Sequence, residues 1–241
     1  MRKICRLAIV LLAILLLENL IFNVLVNVWE IESDPLPMRV EAIAPLSYGS
    51  YKNKLLRAQK EFIEETIRIS DEHREAVIFS GAFTHSPDPK FEEFEKRRMI
   101  GEERWFVFVG NVASTITEAE RMHEVMISRY GFEPATIVVV TGELHGRSAK
   151  FVWQKTFPHS QIYMRLIPWQ HEIEENNTML LARNKWTWLF AQIGRQAVIA
   201  WVPFDWGYNW FKKLNLRQPT QLTRAVRLIQ TAPLHCGGCS F

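Results

Sequence analysis

Between residues 39 and 167 strand-like and helix-like segments alternate, and nothing else in the chain restricts its fold as strongly. The clearest strand is Thr136-Ile-Val-Val-Val-Thr141, a run of β-branched residues suited to a buried pleated surface. It ends at Gly142, and a helical pattern follows from Arg147 to Trp153, leaving His145 and Arg147 at the junction. Arg39–Pro45, Ala76–Phe79, Trp105–Val109 and Gln161–Ile167 read as four further strands. Helical periodicity covers 53–69, 91–100, 114–130 and the stretch after His145 to about Phe157. Ser114 and Thr117-Glu118 supply a cap for the third of these helices, and Gly131 and Pro134 end it. Strands separated by helices need right-handed crossovers, which give a mostly parallel sheet covered on both faces. The expected fold class is therefore α/β, a doubly wound Rossmann-like sheet. The 241 residues suffice for one such domain and an anchor.

The anchor precedes the domain. Arg2, Lys3 and Arg6 lead into an apolar run from Leu7 to Leu17 that continues with interruptions to Trp29. A span of about 23 residues can cross a bilayer as a helix. Glu30, Glu32 and Asp34 follow it, so the positive-inside rule puts the N-terminus in the cytoplasm and the α/β domain outside, in the periplasm if the source is bacterial. No small-x-small cleavage site follows, which points to an uncleaved signal anchor. Asn19, Asn23 and Asn27 share one helix face near Glu18. They would pair with a second membrane helix, giving a helix-mediated oligomer, or find headgroups and water.

Four segments result: the membrane helix 1–29, a linker 30–38 with two prolines, the α/β domain 39–200, and an aromatic-rich extension 201–241. Residues 179–200 are expected to form a helix packed on the sheet. Trp201, Phe204, Trp206, Tyr208, Trp210 and Phe211, followed by Lys212, Lys213 and Arg217, suit either a membrane interface or a sheet edge. Cys236-Gly-Gly-Cys239 is half of a zinc site, but the other cysteine, Cys5, lies at the far end of the chain. Outside the cytoplasm a local disulfide is the default. A net charge of +3 gives no argument for nucleic acid as a partner.

In an open α/β sheet the ligand crevice lies beyond the carboxyl ends of the strands. The loops there would contribute Ser47 and Gly49, then Ser80, Gly81 and Thr84, then Asn111, Ser114 and Thr117, and finally Thr141, His145 and Arg147. Hydroxyls, a histidine, an arginine and helix N-termini together make an anion or phosphate site. His145 has the chemistry for proton transfer. Glu118 and Glu143 are candidate carboxylate partners. No Gly-x-Ser-x-Gly elbow, phosphate-binding Walker loop or His-Glu-x-x-His motif is present, and no pattern identifies a cofactor. His85 with Asp88 is the one loop pairing that could touch a metal, and no metal site is expected.

Ser80-Gly81 after a strand, Ser114-x-x-Thr117 before a helix and Thr141-x-x-x-His145 after the next strand resemble the SanA/ElyC/YdcF-like family. Arg57, in Leu55-Leu-Arg-Ala, is similar to the arginine on that family's first helix. The chain departs from the pattern at Ile116, where asparagine is usual, and at Arg147, which follows His145 by two residues instead of three. One residue along a helix is about 100° of rotation, enough to turn Arg147 from the crevice. The resemblance, over roughly residues 39–200, implies a Rossmann-like domain tied to the membrane and acting in the cell envelope. S-adenosylmethionine or nucleotide binding, suggested for one branch, suits the cytoplasm. A lipid-linked or phosphorylated glycan suits the expected compartment better. The ligand-binding set it implies is Arg57, Ser80, Gly81, Ser114, Thr117, Glu118, Thr141 and Arg147, with His145 as the catalytic residue. The competing expectation is a non-catalytic envelope factor acting through protein or lipid contacts.

Overall fold

The computed structural model describes residues 2–48, 50, 51, 54–82, 89–96, 106–112, 114–131, 133–175, 177 and 180–201. Five strands form one sheet: β1 (Ala42–Pro45), β2 (Val77–Ala82), β3 (Phe106–Asn111), β4 (Thr136–Gly142) and β5 (Gln161–Ile167). All neighbouring pairs are parallel, in the order β3-β2-β1-β4-β5. Between them run α2 (Arg57–Glu72), α3 (Pro89–Lys96), α4 (Thr115–Tyr130) and α5 (Glu143–Thr156), preceded by α1 (Arg2–Trp29) and followed by α6 (Lys185–Trp201). The expected alternation is present.

Side chains alternate across a strand, so each strand feeds two cores. Ile43, Ile78, Val138 and Val140 join Phe62, Ile63 and Ile69 of α2, Phe94 of α3 and Leu189 of α6 on one face. Ala44, Phe79, Ile137 and Val139 join Met122 and Met126 of α4 and Val152 and Trp153 of α5 on the other. β4 is buried almost along its whole length, as a central parallel strand should be. The chain crosses from one face to the other between α3 and α4. The strand order therefore reverses between β1 and β4, and ligand crevices open at such reversals.

Two expectations are corrected. The helix after β4 begins at Glu143, with Gly142 as its N-cap residue, so His145 lies inside its first turn and not in a turn before it. The segment 30–38 is no free linker either. Asp34 N donates to the Met164 carbonyl at 2.9 Å, and the Asp34 carboxylate accepts from the Met164 amide at 2.8 Å. Ser33 Oγ accepts from the Leu166 amide, and Lys150 pairs with Asp34 at 2.9 Å. The segment hems the outer edge of β5 and satisfies backbone groups that an edge strand would leave open.

α1 is one unbroken helix whose window Leu12–Trp29 is long and apolar enough to cross a membrane. Its last turns are fixed to the α/β domain. Phe22 and Val26 are buried, with Phe22 edge-on to Trp169 and Trp186 at 4.9 and 5.0 Å. Glu18 accepts from Trp186 Nε1 and Lys185, and Lys185 also donates to Asn19 Oδ1. Part of the polar stripe thus has partners within the chain, while Asn23 and Asn27 are exposed. The aromatic extension beyond Trp201 and the Cys236/Cys239 pair lie outside the described residues.

Candidate functional site

The carboxyl edge of the sheet carries three polar clusters, each built on the first turn of a helix or the loop after a strand. The first joins β1, β2, α3 and α4. Glu118, in the first turn of α4, points back to the loop after β1. Its Oε1 accepts from Ser47 Oγ at 2.8 Å, and its Oε2 accepts from the Ser47 amide at 3.1 Å. Lys90, at the start of α3, donates from Nζ to the same Ser47 Oγ at 2.9 Å. A hydroxyl therefore bridges a cation and a carboxylate. Lys90 is 3% and Glu118 4% exposed, whereas Ser47 is half-buried. Burial pushes the Glu118 carboxyl up, against Lys90 and the Ser47 donors, which favour its charge. Gly81 leaves room for this, since a Cβ there would lie 2.9 Å from Glu118 Oε1 and from Val112.

The second cluster fills the reversal between β1 and β4. Glu172, fully buried, accepts from the Leu144 amide at 2.8 Å and from Trp188 Nε1 at 2.9 Å. Its backbone carbonyl accepts from the Tyr48 hydroxyl. Leu144 belongs to the first turn of α5, where free amides and the helix dipole favour an anion. The chain's own carboxyl group thus occupies the place where this architecture holds a ligand's phosphate. Desolvation dominates its titration and lifts it to about 8. Gly142 is required here, because a Cβ would fall 2.1 Å from Glu172 Cδ.

The third cluster surrounds His145. Its Nε2 lies 2.8 Å from Thr115 Oγ1, and its Nδ1 lies 2.9 Å from Gln192 Oε1 and 3.2 Å from Arg195 Nη1. Arginine can only donate, so Nδ1 accepts and Nε2 carries the proton toward Thr115. With the Gln192 amide turned over, its buried and otherwise unpartnered nitrogen would also donate to Nδ1. Burial, and then the Arg195 charge, push the imidazole down to about 3. So weak a base stays neutral at physiological pH, and its contacts tie α5 to α4 and α6.

The residues expected at the crevice are thus distributed unevenly. Gly81 and Glu118 meet at Ser47. Ser114 and Thr117 spend their side chains on each other, closing the capping box of α4. Ser80 and Thr141 are buried at the ends of β2 and β4. Arg57 is exposed at the start of α2, its Nη2 3.1 Å from His171 Nε2 and its amide donating to Glu174. Arg147 turns away entirely. Its guanidinium donates to the carbonyls of Trp29, Val28 and Glu30 and stacks 5.3 Å over the Trp29 ring. It caps the end of α1, although it was expected among the ligand-binding residues. Gly49, Thr84, His85 and Asp88 lie outside the described residues, as does the Asn111 side chain.

Sequence reasoning missed Lys90, Glu172, Gln192 and Arg195. For Lys90 a signal existed: Asp88-Pro89 is a helix start, which places Lys90 in a first turn at the carboxyl edge. The other three have no local signal. A cavity of about 210 Å³, lined by Val40, Val77, Phe79, Met126 and Pro134 among others, opens at the opposite, amino-terminal end of the strands. Among the described residues no group of three or more His, Cys, Asp or Glu could hold a metal ion.

Fold and site together define a parallel α/β protein with a hydrogen-bonded Lys90–Ser47–Glu118 group at its carboxyl edge, its two charged members buried. Comparisons with family models, curated proteins and solved structures give no match.

Proposed function

We propose that the chain is a membrane-anchored protein, with its Rossmann-like domain outside the cytoplasm, that binds a phosphate-containing, lipid-linked envelope precursor at the carboxyl edge of the sheet. The observation that carries this reading is the Lys90–Ser47–Glu118 relay. It places a buried cation and a polarised hydroxyl beside the first turn of α4, at the strand ends where this fold takes its ligands. The resemblance to the SanA/ElyC/YdcF-like family supports the same compartment and ligand class. Lys90 and Ser47 donate to the phosphate oxygens. Glu118, already lifted by burial, takes up a proton as the anion arrives and becomes a third donor. Binding is then coupled to proton uptake and weakens as pH rises. His145 orients Thr115 in the adjoining helix turn and moves no proton, given its low basicity.

The test is the thermal unfolding of the full chain in detergent with a polyprenyl phosphate and with the matching polyprenol. The phosphate raises the midpoint, the alcohol does not, and the shift disappears in Ser47→Ala and Lys90→Met while surviving in His145→Gln. Equal shifts with both lipids, or a shift indifferent to Lys90, reject the reading. The alternative, a non-catalytic envelope factor acting through protein or lipid contacts, is favoured if the polyprenyl phosphate leaves the midpoint unchanged.

A further inference from the structure

The apolar surface beside the docked turns of α1 bears on how the domain meets a membrane. A bilayer's hydrocarbon core is about 30 Å thick and needs about 20 helical residues to cross. The protein-bound part of α1 begins at Glu18, through Trp186 and Lys185, and continues through Phe22, Val26 and Trp29 to the Arg147 cap. Residues 2–17 continue the same helix ahead of these contacts, about 24 Å at ~1.5 Å per residue. The membrane-length window Leu12–Trp29 overlaps the docked turns, and only 12% of it is buried. Leu20, Ile21, Val24, Leu25 and Val28 stay exposed alongside the domain wall.

The wall itself is apolar where α1 meets it. From Phe22 the ring contacts run to Trp186 and on to Phe190, stacked at 5.9 Å. Phe190 is 57% exposed on α6, and Val198 continues the same helix outward. Next to α6, the short helical turn Leu180–Arg183 exposes Leu180 to 70%, with Leu181 beside it. Lys185 lies over the Phe22 ring at 4.9 Å with its ammonium paired to Glu18, so this cation at the seam is neutralised within the protein. Scattered exposed apolar residues are ordinary, but a contiguous patch running into a membrane-length helix is not.

We infer that the α/β domain rests directly on the lipid bilayer, through a surface formed by the outward side of α1's docked turns, Leu180 and Leu181, and the Phe190 and Val198 side of α6. The bilayer is the occupant because the patch continues the surface of α1, which among the described residues is the helix long and apolar enough to enter it. The domain has no stalk, and α6 lies at the headgroup boundary with its aromatic side toward the acyl chains, as interfacial helices do. This inference is independent of the phosphate-binding reading.

The test uses the full chain in nanodiscs of phosphatidylethanolamine and phosphatidylglycerol, with Cys5, Cys236 and Cys239 replaced by serine. Single cysteines at Leu181 and Phe190, and at the exposed Lys60 and Arg121 as controls, carry an environment-sensitive nitrobenzoxadiazole label. The first two emit to the blue of the controls and are quenched at least threefold more by doxyl-labelled lipids. Emission matching the controls overturns the inference. So does a blue shift without lipid quenching, which means that protein, such as a second copy, covers the patch. Failure of the chain to incorporate into nanodiscs overturns it as well.

Discussion

The pH dependence of stability follows from two buried groups held in their neutral forms. Glu172 titrates at about 8 in the fold against an ordinary 4.5, because burial penalises its charge. Below pH 4.5 it is protonated in both the folded and unfolded states and costs nothing. As pH rises from 4.5 to 8 the unfolded chain gains by ionising and the fold does not, so stability is lost on the alkaline side. His145 mirrors this, at about 3 against an ordinary 6.5. Its stability is complete above 6.5 and is lost as pH falls toward 3. Between 4.5 and 6.5 the two slopes cancel. Outside that window each is unopposed for 1.5 pH units, which at ~1.4 kcal/mol per unit is about 2 kcal/mol on either side. Glu118, raised in the same sense as Glu172, adds to the alkaline loss. Urea unfolding of the detergent-solubilised chain, followed by tryptophan fluorescence from pH 3 to 9, measures the profile. Subtracting Glu172→Gln from wild type should leave a difference falling by ~1.4 kcal/mol per pH unit between 4.5 and 8. Subtracting His145→Gln should leave one rising between 3 and 6.5. A flat difference for either variant refutes the burial of that group as an ionisable side chain.

Other packing features give simpler expectations. Gly142→Ala drives a methyl into Glu172 and should cost about 3 kcal/mol in the same unfolding assay, as overpacking of a filled site does. Much of that cost should vanish in the Glu172→Ala background. Arg147→Met removes the cap on α1 and its stacking on Trp29, and should cost ~1–2 kcal/mol. Hydrogen exchange should then speed up in residues 26–30 but not in β4. Asp34→Ala uncovers the edge of β5, with an expected loss of ~1–2 kcal/mol and faster exchange at the Met164 amide. Unchanged exchange at Met164 would mean that the segment does not protect that edge.

The strands were legible because burial writes itself into local composition. Thr136–Thr141 and Gln161–Ile167 emerge within a residue of β4 and β5, since a strand covered on both faces needs a run of apolar, β-branched residues. The start of α5 was not legible. Only Leu144 is apolar in Glu143-Leu-His-Gly, so its first turn shows no period, and His145 read as a loop residue. The docking of 30–38 depends on the edge of a strand about 130 residues away, and nothing in an acidic, proline-containing stretch announces it. For the site, Glu118 was legible as the acid after a cap. Its partner Lys90 and the buried Glu172 were not, because their roles come from crossovers that bring distant loops to one edge. Arg147 was expected among the ligand-binding residues, and the partner it turns to, the end of α1 118 residues earlier, leaves no mark in the sequence around it.

Ligand binding at the Lys90–Ser47–Glu118 relay is open to direct measurement by hydrogen exchange on the full chain in nanodiscs, with and without a polyprenyl phosphate. Added phosphate should slow exchange at the amides of Ser47, Gly81 and the first turn of α4, more at pH 6 than at pH 8, and should leave the Leu144 amide, held by Glu172, unchanged. Protection confined to the Leu144 turn, or none at the relay at either pH, would contradict it.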